Sequence, residues 1–113
     1  MIKIGNKGEE IATNFLKKKG YKILDRNYKT PFGEADIIAK DKDIIVFVEV
    51  KTRSNDSFGQ PFESVDFRKR ERLKKIALYY LKQNQIECPI RFDVVSIFYR
   101  DEKEEINYIQ DAF

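Results

Sequence analysis

Three carboxylates and an amine stand out by where they fall. Asp36 sits early in an apolar run, and Glu49 and Lys51 close another. In the segment 44–51, Val46, Val48 and Val50 share one face of a strand, and Ile45, Phe47, Glu49 and Lys51 share the other. Both faces are apolar as far as Phe47, which describes a strand buried on two sides, and the second face then turns charged at the C-terminal end. Ends of central strands are where α/β sheets place their sites. If a hairpin turns between Lys42 and Asp43, residues whose numbers sum to 85 face each other, and Asp36 then lies opposite Glu49. Two facing carboxylates repel, so Lys51, a bound cation, or both must settle them.

The residues that are missing narrow the chemistry further. There is no His and only one Cys. That removes Ser-His-Asp and Cys-His triads, zincin-type helices, CxxC pairs and an internal disulfide. What remains is carboxylate, Lys, Arg, Tyr or hydroxyl chemistry, and carboxylates beside Lys point toward magnesium. The charge balance, 22 Lys+Arg against 19 Asp+Glu, is a mild excess, so a basic surface must come from clustering. The apolar run 44–48 is far short of a membrane span, and residues 1–5 lack the apolar stretch of a signal peptide. A cytoplasmic protein with no membrane association is the default expectation.

These side chains need a scaffold to hold them. Residues 6–19 read as a helix with Ile11, Ala12, Phe15 and Leu16 as its apolar stripe and Gly20 as its end. Glu9 falls on the line of Ala12 and Leu16, so it points inward, whereas Glu10 aligns with the polar side. Strands are predicted over 21–28, 35–39 and 44–51, with a turn at 30–33 and a loop over 53–61. A long helix is predicted from Asp66, a good N-cap, to Asn84, with Leu73, Ile76, Ala77, Tyr80 and Leu81 facing inward. Lys69, four residues before Leu73, lies on that buried stripe. Strands over 91–99 and 105–109 close the chain around a charged turn. A single domain over 1–113 is expected, in the order α-β-β-β-α-β-β: an α/β fold with a mixed sheet flanked by helices. Asp93 reads as a hydrogen-bonding residue of the core.

The run Arg68-Lys69-Arg70-Glu71-Arg72-Leu73-Lys74-Lys75 holds six basic residues in eight. It occupies the N-terminal half of its helix, where cations oppose the dipole and add nothing to helix stability. A phosphate-binding role for Arg68, Lys69, Arg70 and Arg72 is therefore expected, with Arg53 and the loop after it closing over a backbone. Such contacts alone confer no sequence specificity.

An Asp, a spacer, then Glu-x-Lys on this scaffold resembles the PD-(D/E)xK nuclease superfamily, with its restriction-endonuclease-like core. Closer still, several segments resemble the bacterial YraN-type family, which is endonuclease-like and similar to archaeal Holliday junction resolvases. They are Gly5-x-x-Gly8-Glu9, Gly33-Glu34-Ala35-Asp36-Ile37-Ile38-Ala39, Phe47-Val48-Glu49-Val50-Lys51-Thr52-Arg53, Lys69, Arg91-Phe92-Asp93-Val94-Val95 and Ala112-Phe113. The resemblance implies Asp36, Glu49 and the Val50 carbonyl as ligands of Mg²⁺ or Mn²⁺, with Glu9 as a further acid and Lys51 as the catalytic lysine. It implies a metal-dependent endonuclease acting on nucleic acid, DNA first and branched DNA among its forms. Resolvase-like relatives pair to make two symmetric cuts, so a homodimer is compatible with it. The rival expectation is a catalytically silent nucleic-acid-binding or protein-interaction module on the same fold.

Overall fold

Seven elements follow in the expected order: α1 (Ile4–Lys18), β1 (Lys22–Thr30), β2 (Gly33–Asp41), β3 (Ile44–Ser54), α2 (Phe67–Gln83), β4 (Ile90–Arg100) and β5 (Lys103–Ile109). The structure, a computed structural model, describes residues 4–54, 67–100 and 103–113, the side chains of 4–6, 53, 54 and 100 excepted. Asp66 as an N-cap, most of the 53–61 loop, the Arg53 side chain and the Asp101-Glu102 part of the acidic turn lie outside the described residues.

The five strands form one sheet in sequence order, β1-β2-β3-β4-β5. Three of the pairings are antiparallel, and β3 with β4 is parallel. That single parallel pair follows from α2, which comes between the two strands in the chain; a crossover is what parallel neighbours require. The β2–β3 register runs from Asp41↔Ile44 to Ile37↔Val48, every pair summing to 85 as the sequence predicts. The first hairpin turns at Pro31 and Phe32, inside the expected 30–33 turn, and its strands run further than expected, to Thr30 and Gly33. The Thr30 hydroxyl donates to the Gly33 carbonyl and accepts the Phe32 N–H.

The helices cover opposite faces. Ala12 and Leu16 of α1 pack on Ile37, Ala39, Val46, Val48, Val95 and Ile97. Leu73, Ile76, Ala77 and Tyr80 of α2 pack on Ala35, Ile38, Ile45, Phe47 and Phe92. β3 is therefore apolar on both sides because it is covered on both sides. α1 ends in a Schellman turn at Gly20 (φ 94°), where Tyr21 N–H reaches the Leu16 carbonyl. α2 ends in the same hydrogen-bond pattern, Ile86 N–H to the Leu81 carbonyl, with Gln85 (φ 53°) where glycine would be cheaper. Among the described residues no helix is long and apolar enough to cross a membrane.

The α1 face carries a polar core. Asp93, 1% exposed, takes Nε and Nη2 of Arg91 at 3.0 Å each, the Tyr108 hydroxyl, and the Asp111 N–H at 2.9 Å. Arg91 also donates to Asp41 (3.0 Å) and Tyr21 (2.9 Å), and Gln110 donates to Tyr21 (2.8 Å). A buried carboxylate is tolerable only when its lone pairs are satisfied, and here four donors converge on it. Hydrogen bonding to Asp93 raises the Arg91 pKa further, and burial together with the Asp93 carboxylate raises that of Tyr108. The network joins the chain before β1, the end of β2, β4, β5 and the C-terminal turn. Asp93 is thus the core hydrogen-bonding residue that the sequence suggested.

At Gly8, α1 lies close against the sheet. A Cβ there would overlap Oγ1 of Thr52 on β3 and touch Ile97. Gly8→Ala gains up to about 1 kcal/mol of helix propensity, but forcing the two elements apart costs about 1–3 kcal/mol. The expected outcome is net destabilisation in urea unfolding. In a Thr52→Ala background the sign should reverse. A Gly8→Ala penalty unchanged by Thr52→Ala would show that the helix and strand do not meet there.

Candidate functional site

The site forms where β2 stops pairing with β3. Extending the register by one residue would set Asp36 opposite Glu49, but the ladder ends at Ile37↔Val48. Instead the Asp36 Oδ2 accepts the Val50 N–H at 2.9 Å, so a side chain replaces a strand carbonyl as that amide's partner. Alternation breaks at the same place: Ala35 packs toward α2 with Ile38, whereas Ile37 packs toward α1. By the β1–β2 register, in which Tyr28 pairs with Ala35 and Arg26 with Ile37, Asp36 faces Asn27. Asn27 is itself in the left-handed region (φ 53°), a conformation that Asn tolerates better than most residues.

Glu49 is only 8% exposed, and its Oε1 receives both lysines, Lys69 Nζ at 2.5 Å and Lys51 Nζ at 3.4 Å. Lys51 comes from the same face of β3. Lys69 comes down from α2, one turn before the buried Leu73, so the apolar stripe that seats the helix also delivers an ammonium to Glu49. Burial and the neighbouring Lys69 pull the Lys51 pKa down, against the opposing pull of Glu49. Burial works against charge on Lys69 too, but the Glu49 carboxylate in contact with it prevails and its pKa rises.

Asp36 is pushed up to about 7 from an ordinary 3.8, first by burial and then by the charge of Glu49; the Val50 N–H offsets part of this. The Glu9 carboxyl is also raised, by burial foremost, with a hydrogen bond from Asn27 opposing and the charges of Glu34 and Glu49 adding to it. Glu9 Oε1 is buried without a hydrogen-bond partner among the described residues. Thr13 returns to the backbone carbonyl of Glu9, pinning this turn of α1.

The structure therefore brings Asp36, Glu49, Lys51 and Lys69 together and sets Glu9 within reach of their charges. Among the described residues no three acidic, Cys or His side chains converge as a metal-ligating cluster, so Glu9 acts on the acid pair through its field. The pair itself suits a hard divalent cation: two oxygen donors held close by the fold, one of them disfavoured as an anion. Mg²⁺ takes one or two carboxylates and keeps several waters, which matches two acids better than it would a closed cage.

Of the basic run, Lys69 turns inward to Glu49, and Lys74 pairs with Glu71 at 3.2 Å on the surface. Arg68, Arg70 and Arg72 are exposed; the Arg72 stem lies against Gly33, and Arg70 lies 5.6 Å from the Phe113 ring. Two residues escaped the sequence reading. Asn27 carried no periodic signal, because its role comes from a distorted strand. Ser96 pairs with Lys51 in the β3–β4 register and is fully buried, its hydroxyl without a partner among the described residues; on sequence it is one small residue in an apolar strand.

Comparison with known proteins places this geometry in a lineage. Residues 8–97 match the family described as "Uncharacterised protein family UPF0102". A UPF0102 protein of Thermodesulfovibrio yellowstonii is 51% identical over 112 residues, covering 99% of this chain and 96% of the relative. Those of Clostridioides difficile (49%; 96% and 95% covered) and Syntrophomonas wolfei (52%; 97% and 96%) are similar throughout as well. The YraN-type resemblance is borne out at the level of the family.

The Asp36 environment makes stability depend on pH. A carboxyl with a raised folded pKa contributes stability that is complete below its unfolded value, near 3.8, and lost as pH climbs through about 7. In chelator, Asp36→Asn should match wild type near about pH 4 and exceed it at about pH 8, by up to about 4 kcal/mol. Equal unfolding free energies at both pH values would mean that Asp36 is solvated.

Proposed function

The chain belongs to the UPF0102 family, and on the geometry of its acid pair we propose that it is a divalent-cation-dependent endonuclease hydrolysing phosphodiester bonds in nucleic acid, DNA before RNA. The observation that carries this reading is Glu49: buried, gripped by Lys51 and Lys69, and one strand from an Asp36 carboxyl whose charge is disfavoured without a cation. A structural ion pair needs one acid and one base. Two acids and two amines where the β2–β3 ladder ends supply the charge pattern that a phosphodiester needs.

Asp36 and Glu49 would hold Mg²⁺ or Mn²⁺, with the Val50 carbonyl beside them. The cation would supply Lewis acidity to the phosphoryl group and acidify water. The Val50 N–H fixes the aim of the Asp36 carboxylate, and Lys69 fixes Glu49, so neither acid needs reorganising when a substrate arrives. Lys51, with its proton affinity lowered by burial, is placed to orient the attacking water and to donate to the charge that develops on the non-bridging oxygens. Glu9 and Asn27 form the outer wall, and the negative field of Glu9 helps to draw a cation to the pair. Arg68, Arg70 and Arg72 lie exposed on the helix that carries Lys69, positioned to neutralise flanking phosphates.

The test pairs binding with turnover. Calorimetric titration with Mn²⁺ should show one site in wild type and Lys51→Ala, and none in Glu49→Ala. Cleavage of branched, duplex and single-stranded DNA should fall about a hundredfold or more in both variants, the size of effect expected from removing a charge-stabilising group. Cleavage that survives in both variants would end the catalytic assignment, and a Mn²⁺ isotherm unchanged by Glu49→Ala would end the metal assignment.

A further inference from the structure

The outward side of α2 has a pattern that the acid pair does not use. Arg68, Arg72, Lys75, Tyr79 and Lys82 recur at helical spacing along one stripe. The β1–β2 turn brings Phe32 against its middle: Phe32 meets the Tyr79 ring edge-on at 6.3 Å, and Lys75 Nζ lies 5.9 Å from the Phe32 centroid. Three large apolar side chains stand out as exposed among the described residues, Phe32 (44%), Phe67 (71%) and Leu78 (64%). All three border this stripe. They line two adjoining hollows of about 390 and 290 Å³, which share Phe32 and Lys75 as a common wall.

Resting on the nucleic-acid reading above, we propose that this surface binds single-stranded nucleic acid, stacking unpaired bases on Phe32, Phe67 and Tyr79 while Arg68, Arg72, Lys75 and Lys82 track the phosphates. Bases in a duplex are stacked on each other and offer no free faces to exposed rings; unpaired bases do, and aromatic side chains between cations are how sequence-tolerant single-strand surfaces are built. From Arg68 to Lys82 the helix rises about 21 Å, enough for several nucleotides. The stripe begins next to Lys69, so a strand lying on it leads to Glu49. The substrate class is thus nucleic acid with an unpaired segment adjoining the scissile bond.

Other occupants fit less well. Protein interface cores are depleted in lysine, and Lys75 sits in the centre here. Membrane-surface helices segregate apolar and basic faces, whereas this stripe interleaves them.

The chain has no Trp, so Phe67→Trp and Phe32→Trp each give a single fluorescent reporter. In chelator, so that nothing is cut, titration with oligothymidylate should quench both reporters, and a blunt duplex of equal length should leave them unquenched. Phe32→Ala combined with Phe67→Ala should weaken oligothymidylate binding by about tenfold or more, as loss of base stacking does, with duplex affinity and the circular dichroism spectrum unchanged. Equal affinity for both forms without quenching would overturn the single-strand assignment while leaving nucleic-acid binding standing. Absence of binding to either form, with a blue shift on vesicles of phosphatidylglycerol and phosphatidylethanolamine, would overturn both.

Discussion

Repulsion between two carboxylates that the backbone does not allow to part organises this molecule. β3 is covered by a helix on each face, so Glu49 cannot turn to bulk water, and the hydrogen bond from Val50 N–H holds the Asp36 carboxyl beside the same strand. Low dielectric strengthens that repulsion. The fold answers with opposite charge and with hydrogen bonds: two ammoniums on Glu49 and a backbone amide on Asp36. The answer is partial, since Asp36 still resists ionisation. That residual imbalance is the physical content of calling this a site.

The opposite case lies a few residues away. Asp93 is more deeply buried than Glu49, yet four donors meet it and Arg91 grips it at two points. A satisfied buried network specifies a core, and an unsatisfied one is poised for something else. Both begin as a strand acid beside a basic residue, Arg-x-Asp in one and Glu-x-Lys in the other. What distinguishes them is the supply of hydroxyl and amide donors: Tyr108 and the turn at Asp111 close over Asp93, whereas Asp36 takes the Val50 amide where the β2–β3 ladder has stopped.

Much of this was readable before any coordinates. Short apolar and β-branched runs bounded by turn residues located the five strands, and the turn at Lys42-Asp43 set a register that holds for every pair of that hairpin's ladder. Glu9 and Lys69 were legible as polar residues on buried helical stripes, because three- and four-residue spacing is a local property. The failures share one cause. The Asp36–Val50 hydrogen bond, the left-handed Asn27 and the split of the basic run between Glu49 and solvent all depend on how elements meet, and on a strand that leaves its regular geometry. Arg91 finds Tyr21 and Asp41 across 70 and 50 positions, and no window of neighbours holds that information. Glu9 points inward as its spacing demands, and its charge acts on Asp36.

Strand order has a temporal side. Because the sheet is laid down in chain order, the first three strands can pair before the rest of the polypeptide emerges during synthesis, and Glu49 precedes its second counter-ion, Lys69, by twenty positions. Until α2 docks, the nascent hairpin holds Glu49 with Lys51 as its counter-ion, on a face still open to water. The second half of the chain thus completes the charge balance, and removes the water, of a hairpin that the first half lays down.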